Sequence, residues 1–222
     1  MKKNSAIEDL LKVMARLRSP AGCPWDREQD HKSLRFHTVE EVYELMDAIE
    51  AGDDHEMLEE LGDLLLQIVF HCQLAKERDA FDFDQVARHI TDKLVRRHPH
   101  VFGETKVKNV DEVWANWEKI KHAEKHGTQH ARPSALDGIP NHLPALLRAE
   151  KLMKKARKAG LAVVKKQRAG PKKWEIGRAL FDAAAYAQAR GWSTEELLRR
   201  EIQKIERELR RLERAGTTAE RG

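Results

Sequence analysis

The sequence predicts an all-α fold, in which a helical bundle is followed by a smaller helical region. Apolar residues recur at three- and four-residue spacing along most of the chain, which is the period of a helix packed on one side. Glycine and proline, which interrupt helices, number only 12 and 7 among 222 residues. No segment shows the sustained apolar–polar alternation that is typical of a strand.

Helix breakers, short turns and capping residues set the expected helix boundaries. The first helix should end at Ser19–Pro24, which contains two prolines and a glycine. Ser193 and Glu196 have the spacing of a capping box at the start of the last helix. The expected helices cover about 5–18, 38–50, 54–78, 83–97, 111–126, 144–158, 172–190 and 194–214.

Composition divides the chain into three regions. Residues 127–144 are rich in glycine, proline, histidine and serine, which predicts a linker or a long loop. This segment separates a helical domain at 1–126 from a second helical region at 145–222. Trp174 and Trp192 are expected in the core of the second region.

The second region looks like a degenerate copy of part of the first. The segment Glu60–Leu66 aligns with Glu175–Phe181, and a turn and a basic helix follow each of them. Asp63 of the first segment is replaced by Arg178 in the second, and an arginine cannot act as a ligand to a cation. We therefore predict that residues 145–222 are non-catalytic.

Two acidic motifs lie on consecutive predicted helices. Glu40, Glu41 and Glu44 belong to the first helix, and Glu60 and Asp63 belong to the next. Residues three or four positions apart share one face of a helix, where like charges repel. Apolar stripes adjoin both motifs and place the carboxylates beside the core. A divalent cation that prefers oxygen ligands, Mg²⁺ above all, would relieve this repulsion.

The net charge of +4 is unevenly distributed. The positive excess lies mainly within 151–173, while the helices around Glu40 and Glu60 are acidic. A basic face attracts nucleic acid or a phosphate-bearing substrate, although a solvated helix surface is the simpler reading of a single basic run.

Cysteine usage and hydropathy indicate a cytoplasmic protein. Cys23 and Cys72 are far apart and lack CxxC spacing, which favours free thiols in a reducing compartment. No run of eighteen apolar residues predicts a membrane span, and the first residues lack the apolar segment of a signal peptide.

Several motifs together resemble the MazG family of all-α nucleoside triphosphate pyrophosphohydrolases. Besides the two acidic motifs, they are Cys23–Asp26, Glu60–Gln67, Arg96–Gly103 and Ser134–Pro140. The resemblance is close over roughly residues 5–160 and weak beyond. It implies a MazG-type helical bundle. Members of the family often carry two similar domains, whereas the second MazG-like region is shortened here and lacks the acids.

The resemblance also implies roles for individual residues. The ligands of Mg²⁺, for which Mn²⁺ can substitute, would be Glu41, Glu44, Glu60 and Asp63. Glu40 would assist these catalytic acids as an outer partner or as the base for an attacking water. The implied substrate-binding residues, which would contact the triphosphate or the nucleoside, are Lys93, Arg96, Arg97, Trp117 and Lys121.

The implied activity is Mg²⁺-dependent hydrolysis of nucleoside triphosphates to a nucleoside monophosphate and pyrophosphate. A homodimer or higher homo-oligomer is expected because the helix at Leu61–Phe70 is apolar on more faces than one small bundle covers.

Two other interpretations have less support. Glu28 and His31 have the ExxH spacing of di-iron sites, but a second such motif is missing from the sequence. A non-enzymatic helical module could bind nucleic acid or a protein partner through the basic second region. The acidic quartet favours the enzyme, and nucleic acid is therefore not an expected partner.

Overall fold

The computed structural model describes residues 5–124, 133–161 and 170–219, without the side chains of His122 and residues 216–219. Within these ranges every regular element is an α-helix, which confirms the all-α prediction. The chain divides into two compact units, Met1–Glu118 and Lys119–Gly222. The helices are α1 (Ala6–Leu17), α2 (Pro24–Glu28), α3 (Arg35–Ala51), α4 (Asp54–Lys76), α5 (Phe83–Arg97), α6 (Pro99–Phe102), α7 (Val110–Ala123), α8 (Ala145–Lys158), α9 (Lys173–Gln188) and α10 (Thr194–Ala219).

Capping side chains fix several helix starts. The Ser5 and Asp82 side chains accept hydrogen bonds from the amides of Glu8 and Gln85 and complete capping boxes for α1 and α5. Asp53 caps α4 in a similar way.

Two prolines begin short helices that were not among the expected ones. Pro24 lies in the first turn of α2, and Pro99 lies in the first turn of α6. Proline is favoured there because the missing N–H would have no partner in any case and the fixed φ suits a helix.

The core of the first unit lies where α4 packs against α1, α3 and α5. Its buried residues are Met14, Leu34, Val69, Phe70 and Leu74. Three of these five belong to α4, and the burial of that helix is concentrated in its C-terminal half. Helix α3 and the part of α4 that ends at Ile68 leave large apolar residues exposed, namely Val39, Val42, Met46, Ile49, Leu58, Leu61, Leu65 and Ile68.

The core of the second unit lies between α8 and α10. Its buried residues are Leu136, Ala145, Leu152, Ala156, Ile202 and Leu209. Leu136 belongs to the predicted linker, so the described part of that segment, 133–144, packs against the second unit. Glu213 of α10 binds the hydroxyl of Ser134. Residues 127–132 of the predicted linker lie outside the described residues.

The prediction that Trp174 and Trp192 form part of the second core is wrong. Their exposed fractions are 67% and 53%. The reason is that α9 packs mainly against α10 and buries Ala187 but no large side chain. No described helix is both long and apolar enough to cross a membrane.

Candidate metal centre on the acidic helices

A tight turn sets the relative positions of the two acidic helices. Gly52 ends α3 with φ of +68°, in the left-handed region that glycine adopts without a steric penalty. The next residue, Asp53, is the N-cap of α4. The chain therefore reverses within two residues, and α4 packs along α3.

Three of the predicted metal ligands converge across this helix pair. One carboxylate oxygen from each of Glu41, Glu60 and Asp63 lies within 4.8 Å of the other two. All three side chains are half-buried. The Oε2 atom of Glu60 is inaccessible to solvent and has no hydrogen-bond partner among the residues that the structure describes. A buried anionic oxygen without a partner is costly, so the arrangement lacks a positive charge.

The pKa values of two of these carboxyls also indicate that a positive charge would stabilise the group. Partial burial raises the pKa of the Glu41 carboxyl, and the charges of Asp63, Glu44 and Glu40 raise it further. Desolvation also raises the pKa of Glu60, with added repulsion from Glu44, Glu41 and Asp63. Three converging carboxylates supply the hard oxygen ligands that Mg²⁺ prefers, so the residues present fit such an ion.

The other two predicted acids lie at the margin of this group. Glu44 is exposed and is not among the three carboxylates that meet within 4.8 Å. It is nevertheless close enough for its charge to affect both Glu41 and Glu60. Glu40 is also exposed, and its carboxylate lies 3.8 Å from Nδ1 of His37.

The predicted phosphate-binding residues lie on α5, which packs against α4. Lys93 and Arg97 are half-buried near the end of α5, and Arg96 is exposed between them. Their position on the helix after the acids is the one that the sequence predicts, and their role in binding remains a prediction.

The predicted nucleoside-binding residues lie on α7. Trp117 is half-buried in a cluster of aromatic rings, 4.9 Å from the ring of His98 and 5.3 Å from that of Trp114. Its indole Nε1 is buried and has no hydrogen-bond partner. Lys121 follows one helical turn later, on the same face of α7.

Sequence reasoning missed a histidine pair in the first unit. Nδ1 of His31 lies 2.9 Å from Nδ1 of His71, and the two rings stack 5.1 Å apart. Burial lowers the pKa of His71, with a further contribution from His31. The residues are 40 positions apart, and no local spacing signals such a contact.

Comparisons with known proteins identify relatives of the chain. A family model described as "MazG nucleotide pyrophosphohydrolase domain" matches residues 29–102, which contain all the predicted acids. The chain is 49% identical over 155 residues to an Escherichia coli protein named "Nucleoside triphosphate pyrophosphohydrolase". That match covers 69% of this chain and 58% of the relative.

Two further matches extend the comparison. The chain is 43% identical over 193 residues to an uncharacterized 26.1 kDa protein of Streptomyces cacaoi, covering 86% of this chain and 76% of the relative. A crystal structure of a mazG-related protein from Thermotoga maritima aligns with 26% identity and a TM-score of 0.44, covering 51% of this chain and 97% of that one.

The described helices and the convergent acids thus define a class of all-α proteins with a cluster of carboxylates on two adjoining helices, and the family model falls on those same helices. The chain belongs to the MazG family. It spans less than two thirds of the length of the E. coli relative.

Proposed function

We infer that this protein hydrolyses nucleoside triphosphates to a nucleoside monophosphate and pyrophosphate with the help of Mg²⁺. The observation that carries the proposal is the convergence of Glu41, Glu60 and Asp63 within 4.8 Å. The name of the E. coli relative supports the reaction, and the residues of this site lie within the range 29–102 that the family model matches.

The cation would be held by Glu41, Glu60 and Asp63, with Glu44 turning inward as a fourth ligand. The raised pKa values of Glu41 and Glu60, and the repulsion that raises them, favour a bound divalent cation at this site. Held there, the ion would supply polarisation of a phosphoryl oxygen and activation of the attacking water.

The remaining residues would position the substrate. Lys93, Arg96 and Arg97 offer cationic groups on α5 for the β and γ phosphates, which leave together as pyrophosphate. Trp117 and Lys121 on α7 would hold the nucleoside and the α phosphate. Such positioning lowers the activation barrier because the reacting atoms are already held close together in the required orientation.

Glu40 is the proposed acceptor of the proton from the attacking water. Its carboxylate is exposed, and its charge raises the pKa of Glu41, one of the three converging acids. Glu40 therefore lies close to the candidate metal centre. An acceptor must lie within hydrogen-bond reach of the water, directly or through one further water. Glu40→Gln should therefore lower kcat more than it raises KM.

We also propose that two copies of the chain associate through α3 and α4. The exposed apolar residues on these helices form the kind of surface that obligate homodimers bury. Light scattering should give the mass of a dimer at micromolar concentration, and Ile68→Glu should shift it to a monomer. A wild-type monomer would contradict this part of the proposal.

The second region, residues 145–222, has no catalytic role in this proposal. Arg178 and Glu175 of α9 occupy the positions that correspond to Asp63 and Glu60. Because one of these positions is cationic, the pair cannot reproduce the metal centre of α4.

The direct test is release of pyrophosphate from a panel of nucleoside triphosphates with Mg²⁺, with Mn²⁺ and with EDTA. We expect pyrophosphate and a monophosphate as the products and no turnover in EDTA. Release of single phosphates, or turnover that survives EDTA, would overturn the proposal. The panel of bases and sugars also defines the substrate preference.

A further inference from the structure

The second unit contains a cationic cavity between its helices and the segment before α8. Its volume is about 590 Å³, and eight residues line it. Half of the lining residues are arginines, whereas a single one is acidic. These charged residues are Arg148, Arg199, Arg207, Arg210 and Glu206.

Part of this charge belongs to a buried ion-pair network. Glu206 accepts hydrogen bonds from Arg148 at 2.7 Å and from Arg210 at 2.8 Å. Arg210 also pairs with Asp137 at 2.8 Å. Burial alone would raise the pKa of Glu206, but the two arginines hold it below its usual value. The network therefore keeps its carboxylates ionised and its arginines fixed in place.

The network does not neutralise the cavity. Arg199 pairs with Glu195, which lies outside the lining. Arg207 is exposed, and no ion pair of it is found among the described residues. The four lining arginines thus face three carboxylates, Glu206, Asp137 and Glu195, which leaves one positive charge in excess.

Arg148 provides the second, independent observation. It lines the cavity although its exposed fraction is only 6%. Its Nη2 atom donates to Glu206 and to Oδ1 of Asn141. Its Nη1 atom is buried and has no hydrogen-bond partner among the described residues. A guanidinium remains charged in proteins, so this buried N–H group carries a desolvation cost, and the guanidinium adds a fixed positive charge to the wall of the cavity.

We propose that this cavity binds a small phosphate-bearing anion, either free pyrophosphate or the phosphate tail of a nucleotide. Planar guanidinium groups bind phosphate oxygens with paired hydrogen bonds, which favours phosphate over simple halides. The volume lies within the range of small-molecule sites.

The ligand is recognised through its phosphates. Among the lining residues His142 alone carries an aromatic ring, so the cavity offers little surface on which a base could stack. The site lies entirely in the region without a proposed catalytic role. It therefore does not depend on the hydrolytic activity proposed above.

The test is isothermal titration of the full chain with pyrophosphate, adenosine triphosphate and adenosine monophosphate in EDTA at constant ionic strength. Without a divalent cation, the acids of α3 and α4 repel anions and should not bind these ligands. We expect one pyrophosphate per chain. Equal binding of the triphosphate identifies a nucleotide tail as a ligand, and weaker binding identifies free pyrophosphate. Failure of both to bind overturns the proposal.

Variants locate the bound anion. Arg148→Lys keeps the charge but loses the paired hydrogen bonds, and it should weaken binding roughly tenfold or more. Arg207→Gln should weaken it roughly two- to fivefold, as expected of an exposed charge. Arg211→Gln is the matched control, because Arg211 is exposed one helical turn beyond Arg207 and outside the lining. Circular dichroism checks that each variant is folded.

Three results would contradict the assignment. An equal loss in Arg207→Gln and Arg211→Gln would mean that a diffuse positive field attracts the anion. Loss of binding in Asp63→Asn would place the anion at the acidic centre. Tighter binding of a single-stranded oligonucleotide than of pyrophosphate would indicate a polymer-binding surface. If Arg148→Lys does not fold, the difference in pyrophosphate affinity between Arg207→Gln and Arg211→Gln decides whether the anion binds in the cavity.

Discussion

The helices α4 and α9 have similar sequences but satisfy their charges in different ways. In α4, Glu60 and Asp63 meet Glu41 of α3, and one oxygen of Glu60 is buried without a partner. The charges of this site are therefore not balanced within the protein.

The corresponding residues of α9 are balanced locally. Glu175 accepts a hydrogen bond at 2.7 Å from the backbone N–H of Lys172, at the start of its own helix. Arg178 pairs with Asp182, one turn further along, at 3.0 Å. Each charge finds its partner within the same helix, and no outside cation is required.

Packing explains the difference between the two helices. Against α4 lies a second acidic helix, which holds the carboxylates close together and partly out of water. The helix α9 packs instead against α10, in which glutamates are interspersed with arginines and lysines, and it buries Ala187 but none of its charged residues. A carboxylate becomes a candidate ligand when packing brings it to other acids, whereas an exposed carboxylate is solvated or paired locally.

The largest expected effect is on catalysis. Asp63→Asn removes a proposed metal ligand with little change of volume, and it should lower kcat/KM by at least about 100-fold, the upper end for outer partners of metal sites. Arg178→Asn changes the corresponding residue of α9 and should leave turnover unchanged. Pyrophosphate release under saturating Mg²⁺ measures both variants. An Asp63→Asn variant with the activity of the wild type would contradict the proposed difference between the acids of α4 and the corresponding residues of α9.

A core substitution separates stability from catalysis in the second unit. Leu152 is fully buried between α8 and α10, and Leu152→Ala should cost about 2–5 kcal/mol in the free energy of unfolding. Well below its melting temperature the variant should keep the kcat of the wild type. Denaturant unfolding and pyrophosphate release provide the two measurements. A matching fall in kcat at a temperature where the variant is folded would give the second unit a catalytic role.

The sequence predicted the acidic helices well because the signals there are local. The turn at Gly52 and the cap at Asp53 fix the reversal of the chain, and the three- and four-residue spacing places the acids on adjoining faces. The convergence of Glu41, Glu60 and Asp63 follows from these features together. The position of Glu44 outside the group depends on its rotamer, which spacing does not determine.

Features that depend on distant contacts were less predictable. The segment 133–144 has a loop-like composition, yet Leu136 fills the core between α8 and α10. Trp174 and Trp192 are large and apolar, but their helix lacks a neighbour that would cover them. The cavity around Arg148 likewise arises from residues about 50 positions apart along the chain. Hydropathy and spacing carry no information on such pairings.

A smaller effect should appear in the metal-free protein as the pH changes. Because the folded pKa values of Glu41 and Glu60 are raised above the ordinary 4.5, their contribution to stability is greatest below that pH. This contribution to stability is lost as the pH rises through their raised pKa values. In EDTA, Asp63→Asn should therefore become more stable than the wild type between acid and neutral pH, because the substitution removes one of the repelling charges.

Urea unfolding of both proteins at a series of pH values measures this difference. Other carboxyls such as Glu77 and Asp137 have lowered pKa values, and their contribution to the stability of the folded protein is lost as the pH falls. Their contribution is common to both proteins and cancels in the comparison. A variant that is less stable than the wild type at neutral pH in EDTA would argue against repulsion among the acids.

The smallest effect is expected in α9. Arg178 and Asp182 form an exposed pair within one helix, and such pairs contribute about 0.3–0.5 kcal/mol. Arg178→Asn should therefore change the free energy of unfolding by no more than about 0.5 kcal/mol, with or without Mg²⁺. A larger loss in urea unfolding would mean that the α9 pair has a structural role beyond its own helix.

The metal centre itself is tested most directly by thermal unfolding during a titration with Mg²⁺ at constant ionic strength. A cation that binds the folded state alone raises the Tm as its concentration increases. We predict that the Tm of the wild type and of Arg178→Asn rises and saturates, while that of Asp63→Asn does not respond. An equal rise in all three proteins would show that Mg²⁺ binds elsewhere and would contradict the assignment of Glu41, Glu60 and Asp63 as its ligands.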